Sequence, residues 1–136
     1  MGVGDAVEMR GWVEPDAARA LFASADIALY PFDDTLVNRA KSPVKLLELL
    51  AAGVPVVGEA VGELAEVIED GHSGRLIRPG DVDAFAAAVG SLLDEPAARL
   101  AMGEAARARV RAAFRWDVRV VDLEAVYLAD AAGVSA

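Results

Sequence analysis

The chain has 136 residues, 55% of them apolar, and its 22 acidic against 13 basic side chains give a net charge of −9. That length suits a single domain with a real hydrophobic core, and the apolar fraction argues against disorder despite the charge. With no cysteine and one histidine, disulfides, thiolate zinc sites and a His-based metal cluster are excluded, and the acidity disfavours nucleic acid as a partner.

The opening Met-Gly-Val-Gly-Asp lacks the basic start and apolar stretch of a secretory signal, so the expected location is cytoplasmic. Val7 to Val13 reads as a short strand with Gly11 near its end. Glu14-Pro15 then opens a helix, because proline is tolerated where its missing N–H costs nothing. Leu21 and Phe22 give that helix its apolar contacts up to Ser24. Ile27 to Tyr30, closed by Pro31, suits a buried parallel strand, and Phe32 to Lys41 reads as a polar loop. Ser42-Pro43 starts the next helix, with Ser42 as cap, Pro43 in the first helical position and Gly53 as the left-handed stop. Its Leu46, Leu49 and Leu50 share one face. The longest apolar run, Leu49 to Val57, is broken by Gly53 and Pro55 and falls far short of the ~18–20 residues a membrane span needs.

Pro55 to Gly58 is the next strand, and Gly62 and Glu63 begin a short helix through Ile68. Asp70-Gly71 turns out of it into a strand at Arg75 to Ile77, ended by Pro79-Gly80. From Asp81 the chain reads as helix: Val82 to Leu93, Pro96 to Phe114, then about Trp116 to Ala129, so that tail helices cover about residues 96–131. This order predicts an α/β fold, a partial Rossmann-like, doubly wound parallel sheet of about four strands with helices on both faces and a helical C-terminal tail. One domain spans 1–136. Trp116 and Tyr127 are expected to dock the tail onto the core.

The sharpest local anomaly is electrostatic. Thr35 to Leu47 carries three cations, Arg39, Lys41 and Lys45, and no acid, and these two lysines are the only ones in the chain. They surround a helix N-terminus, where unpaired N–H groups and the positive end of the dipole already favour anions. Because Pro43 has no N–H, Val44 and Lys45 are the expected backbone donors. The pattern points to a phosphate or diphosphate cradle; the alternative is a solvated loop whose cations balance nearby acids. Glu48 lies one turn further on. Its carboxylate could accept a sugar hydroxyl pair or simply face solvent, and chemistry alone leaves both open.

Ser42-Pro-Val-Lys45-Leu-Leu-Glu48-Leu-Leu-Ala-Ala-Gly53-Val-Pro55-Val-Val57 resembles the donor-binding signature of the family-four, retaining glycosyltransferases of the GT-B fold. The flanks agree. Ala23 to Pro31 is similar to the strand before that signature, Gly62 to Asp81 to the loop, helix and strand after it, and Phe114-Arg-Trp116 to the start of the family's last helix. The resemblance implies a nucleotide diphosphate sugar as substrate, no cofactor and no metal. On matched positions it implies that Glu48 holds the nucleotide ribose and that the backbone of the turn at Ser42 to Lys45 contacts the diphosphate; the charge pattern adds Lys41 and Arg39 beside it. His72 is then an ordinary turn residue between Gly71 and Gly74.

Two departures stand out. The first glutamate of the family's motif falls at Ala40, and Asp33 and Asp34 are off register. Met1 to Val13 is similar to a connector and strand inside the donor domain, which implies an incomplete domain lacking its first strand and the acceptor domain. The expectation is a fragment, a truncated frame or half of a split enzyme. Its partners would be the nucleotide sugar, the missing acceptor domain or partner chain, and another copy through an exposed sheet edge. Glu63 and Glu66 sit at a helix start where the dipole favours acids; capping is the first reading, a donor contact by Glu66 the second. Arg107, Arg109, Arg111, Arg115 and Arg119 interleave with acids, which suggests a solvated face and at most peripheral membrane contact. The function expected is donor binding within a glycosyltransferase that moves a sugar to an acceptor hydroxyl with retention. The alternative is a noncatalytic remnant or partner-dependent module.

Overall fold

Three parallel strands form the centre of the computed structural model, which describes residues 2–133 and side chains as far as residue 129. Met1 and residues 134–136, part of the expected domain, lie outside the described residues. The order is α1 (Pro15–Ser24), β1 (Ala28–Tyr30), α2 (Leu36–Arg39), α3 (Val44–Ala52), β2 (Val56–Glu59), α4 (Leu64–Val67), β3 (Arg75–Ile77), α5 (Val82–Asp94), α6 (Pro96–Ala113) and α7 (Trp116–Gly133). Strand β2 is central, with Val57 opposite both Leu29 of β1 and Arg75 of β3.

The alternation of side chains along β2 divides the core in two. Val56 packs with Leu46 and Leu50 of α3, Leu64 and Ile68 around α4, and Ala106 and Val110 of α6. Val57, pointing the other way, packs with Ile77, with Ala88 and Leu92 of α5, and with Met102 of α6. Helices therefore cover both faces, as the doubly wound pattern predicts. Leu46 and Leu50, four apart on α3, are fully buried, and each such burial stabilises the fold by about 1.5–3 kcal/mol. They fix the rotation of α3, which leaves Lys45 and Glu48 on its exposed side.

Helix α3 stops where the sequence says it should. Gly53 adopts φ 79°, and Val54 N–H closes the turn on Leu49 C=O at 3.1 Å. Helix α6 lies directly against this stop: a Cβ on Gly103 would come within 2.2 Å of the Gly53 carbonyl oxygen. Three arginines of α6 then cap other helices. Arg99 donates to Leu92 and Leu93 carbonyls at the end of α5, Arg107 to Ala52 at the end of α3 (2.7 Å), and Arg109 to Val67 (2.6 Å) and Glu66 (2.7 Å) at the end of α4. Cations at helix C-termini satisfy both orphan carbonyls and the dipole. Arg107 and Arg109 are thus structural caps rather than a solvated basic face, whereas Arg115 and Arg119 pair with Asp117 and Asp122 as their spacing suggests.

Four expectations are corrected. Val7 to Val13 forms no strand: the sheet has three strands, not four, and Trp12 is 91% exposed. A strand needs a neighbour for its ladder and a cover for its face, and this segment turns at Gly11 (φ 63°) without either. The loop after β1 contains α2, capped by Thr35 Oγ1 accepting from Asn38 N–H. Pro43 is the helix cap of α3 rather than its first residue, and Ser42 makes no side-chain capping bond. Trp116 (88% exposed) and Tyr127 do not dock into the core; α7 stands largely in solvent with Val121, Leu123, Val126 and Leu128 exposed as well. No helix among the described residues is long and apolar enough to cross a membrane.

Candidate functional site

The loop that leaves β1 passes through α2 and delivers Lys41, Ser42 and Pro43 to the N-terminus of α3. In open α/β sheets this end of the strands is where ligands sit. Pro43 has φ −85° and ψ 78°, so the chain turns sharply just before the helix. That turn points the Val44 N–H back to the Ser42 carbonyl (3.0 Å), while Leu46 N–H is taken by the Pro43 carbonyl (2.9 Å). Of the two expected donors, Val44 is therefore engaged within its own turn. Lys45 N–H makes no backbone hydrogen bond among the described residues, and it is the donor the helix mouth offers.

Lys45 and Glu48 line one cavity of about 420 Å³. Its other wall comes from Gly11, Trp12 and Val13 and from α1, including Arg19 and Phe22. The cleft thus brings together two basic side chains, Lys45 and Arg19, one carboxylate a helical turn from Lys45, and aromatic and aliphatic surface. Trp12, Arg19 and Phe22 escaped the sequence reading because the packing of α1 on α3, not a motif, brings them there. The separation of Lys45 and Glu48 by three residues was the available signal for their shared face.

Lys41, three residues before α3, does not line this cavity. Its Nζ lies 5.0 Å from the centroid of the Phe32 ring, and that ring packs on Tyr30 at 4.9 Å. Burial raises the Tyr30 phenol above its ordinary pKa, so the ring stays neutral. Neither lysine is in an ion pair among the described residues.

Arg39 is different. Its guanidinium makes a bidentate pair with Asp34, at 2.5 and 2.7 Å, so it is not the unopposed cation its sequence neighbourhood suggests. The hydrogen bonds from Arg39 hold the Asp34 carboxyl below its usual range, and Asp34 reciprocally raises Arg39. This pairing also occupies one of the two off-register acids near Ala40. The Arg39 backbone packs against the turn at Gly62 (φ 55°), where a Cβ would approach the Arg39 carbonyl oxygen to 2.7 Å. Only glycine allows that approach.

Glu66 does not line the Lys45 and Glu48 cavity. It lies on the exposed side of α4, and its backbone carbonyl accepts from Arg109. Neither Glu63 nor Glu66 caps α4 through a side-chain hydrogen bond, so capping does not explain these acids. His72 is exposed in the turn after Asp70, its N–H bonded to the Glu69 carbonyl, while the adjacent Ser73 is fully buried and accepts from Glu69 N–H.

Comparison with known proteins places the chain in a family and a fold. The family model described as glycosyl transferases group 1 matches residues 1–95. An MMP alpha-(1->4)-mannosyltransferase of Mycolicibacterium hassiacum is 34% identical over 128 residues, 93% of this chain and 30% of that protein. Among solved structures, sucrose-phosphate synthase of Thermosynechococcus elongatus superposes with a TM-score of 0.76 at 28% identity, over 96% of this chain and 32% of the other. Anabaena Alr3699/HepE, solved in complex with UDP and glucose, shares the fold with a TM-score of 0.62 at 21% identity, over 82% and 29% of the two chains. The chain spans about 30% of the length of these relatives.

Proposed function

Because the chain belongs to the group 1 glycosyl transferases, we propose that it forms the part of such an enzyme that binds a nucleoside diphosphate sugar at the mouth of α3. The observation that carries this reading is the cleft shared by Lys45 and Glu48, with the Lys45 N–H free of a backbone partner among the described residues. The diphosphate would meet Lys45, its N–H and Lys41, with Ser42 and Val44 forming the turn beneath. Glu48 would accept the ribose hydroxyl pair. The 420 Å³ cleft against Trp12 and Phe22 would take the nucleoside. Arg39, held by Asp34, and Glu66, outside the cleft, have secondary roles at most.

In the reaction proposed, a glycosyl group passes from the diphosphate to an acceptor hydroxyl with retention. This chain's contribution would be stabilisation of negative charge on the leaving diphosphate, by Lys41, Lys45 and the N-terminus of α3. Ala40 supplies no carboxylate to the donor sugar, so the sugar itself would be held elsewhere. The relative solved with UDP and glucose supports the ligand class. Isothermal titration with UDP, GDP, ADP and inorganic pyrophosphate tests the assignment. Glu48→Ala is expected to weaken the bound nucleotide about tenfold, equivalent to about 1.4 kcal/mol, and to leave pyrophosphate unaffected. A folded sample that binds no nucleotide contradicts the proposal.

A second reading, a module that works only against another folded body, is favoured by α7. Its Trp116, Val121, Leu123, Val126, Tyr127 and Leu128 are each exposed, apolar surface that another body would cover. Light scattering separates the two readings: self-association at micromolar concentration supports this second one, and a stable dilute monomer counts against it.

A further inference from the structure

Glu59 is the last residue of the central strand, and its carboxylate reaches both neighbouring strand ends. Oε2 accepts from the Phe32 N–H and Oε1 from the Gly80 N–H, each at 2.7 Å. Phe32 opens the loop after β1, and Gly80 lies in the turn after β3 (φ 80°). One half-buried side chain thus ties together the C-terminal ends of all three strands, the edge from which the α3 mouth is built. Charge-assisted bonds of this length are about twice as strong as neutral ones. The ring of Phe32 in turn lies under Lys41 Nζ. The order of contacts is therefore Glu59 carboxylate, Phe32 backbone, Phe32 ring, Lys41 ammonium.

On the reading of the α3 mouth as a diphosphate site, we propose that Glu59 is a positioning residue that sets Lys41 through Phe32. The chemistry requires a carboxylate. Two N–H donors converge from opposite sides, and only a side chain with two acceptor oxygens satisfies both. A glutamine would accept one and turn its own NH2 group toward the other. An apolar residue would leave both donors without their partner. Phe32 and Gly80 stand 27 and 21 residues from Glu59 along the chain, so this clamp joins two loops that are distant in sequence.

Three measurements on the full chain test this. In amide hydrogen exchange, Phe32 and Gly80 N–H should be protected together in wild type; Glu59→Gln should release at least one by about tenfold, and Glu59→Ala both. In acetylation followed by peptide mass spectrometry, Lys45 serves as internal reference, and Glu59→Ala should raise Lys41 labelling about twofold against it as the loop loosens. In UDP titration, Glu59→Gln should weaken binding about three- to tenfold, and Lys41→Met should cost much less in the Glu59→Gln background than in wild type, a coupling that marks residues acting as one unit. A merely structural Glu59 would give additive losses. Additive losses, or unchanged Phe32 exchange and Lys41 labelling in Glu59→Ala, overturn the proposal. If wild-type chain binds no UDP, the nucleotide reading fails instead, and exchange and labelling still decide whether Glu59 sets Lys41.

Discussion

The two ends of α3 use cations in opposite ways. At its C-terminus Arg107 donates to the Ala52 carbonyl, and the neighbouring Arg99 and Arg109 cap α5 and α4 from the same helix. At its N-terminus Lys41 and Lys45 have no carboxylate partner among the described residues. Arginine, a planar fork with directed donors, occupies positions where the acceptors are fixed carbonyls. Lysine, a mobile point charge, occupies the open mouth. The difference separates holding the fold from meeting a ligand, and it predicts that damage to the two ends will show in different assays.

The largest effect should come from the buried end. Gly103→Ala places a methyl against the Gly53 carbonyl oxygen and should destabilise the fold by about 3 kcal/mol, the upper end of overpacking costs. Gly90→Ala, a substitution in α5 with open space around it, should instead stabilise by about 0.5–1 kcal/mol through helix propensity. Urea titration reads both, and equal effects would undo the close packing of α6 against the stop of α3.

Arg107→Met should cost about 1 kcal/mol for one lost helix-capping hydrogen bond and leave UDP affinity within twofold. Lys45→Met should do the reverse. Its stability should stay within about 0.5 kcal/mol of wild type, as for exposed substitutions, while UDP affinity falls about tenfold and becomes less sensitive to salt. If both variants moved the same observable, the contrast between the two ends of α3 would disappear.

The smallest effect belongs to the Asp34 and Arg39 pair, which is exposed and screened. Its carboxyl titrates below the ordinary value of 3.8, so its contribution to stability is present above that pH and fades as pH falls through the lowered value. Asp34→Asn should therefore melt slightly below wild type at neutral pH, with the gap closing in acid. A gap that widened in acid would contradict the pairing.

Local signals made much of this legible in the sequence. Leu46, Leu49 and Leu50 repeat at helical spacing and Gly53 supplies the stop, so α3 and its buried face follow from the chain alone. The same holds for β3 at Arg75 to Ile77 and for the Lys45 and Glu48 spacing. Where the expectation failed, a backbone turn or a contact outside the local pattern decided the outcome. Ser42-Pro43 looked like cap and first residue, but the Pro43 backbone turns the Val44 N–H away. Arg39 looked unopposed because its partner lies five residues back, outside the cation-rich window. Val7 to Val13 has strand-like alternation but no strand beside it, and alternation alone makes no ladder. Arg107 and Arg109 find their acceptors 55 and 42 residues away, and Glu59 its donors 27 and 21 residues away. No pattern along the chain records those meetings.

The most direct test of the central claim is an amide shift map of the 15N-labelled chain titrated with UDP. The account predicts the largest shifts from Lys41 to Glu48, led by the Lys45 N–H, with smaller ones at Trp12 and Val13. Shifts concentrated instead around Arg99 and Arg107, or none in a well-folded sample, would contradict it.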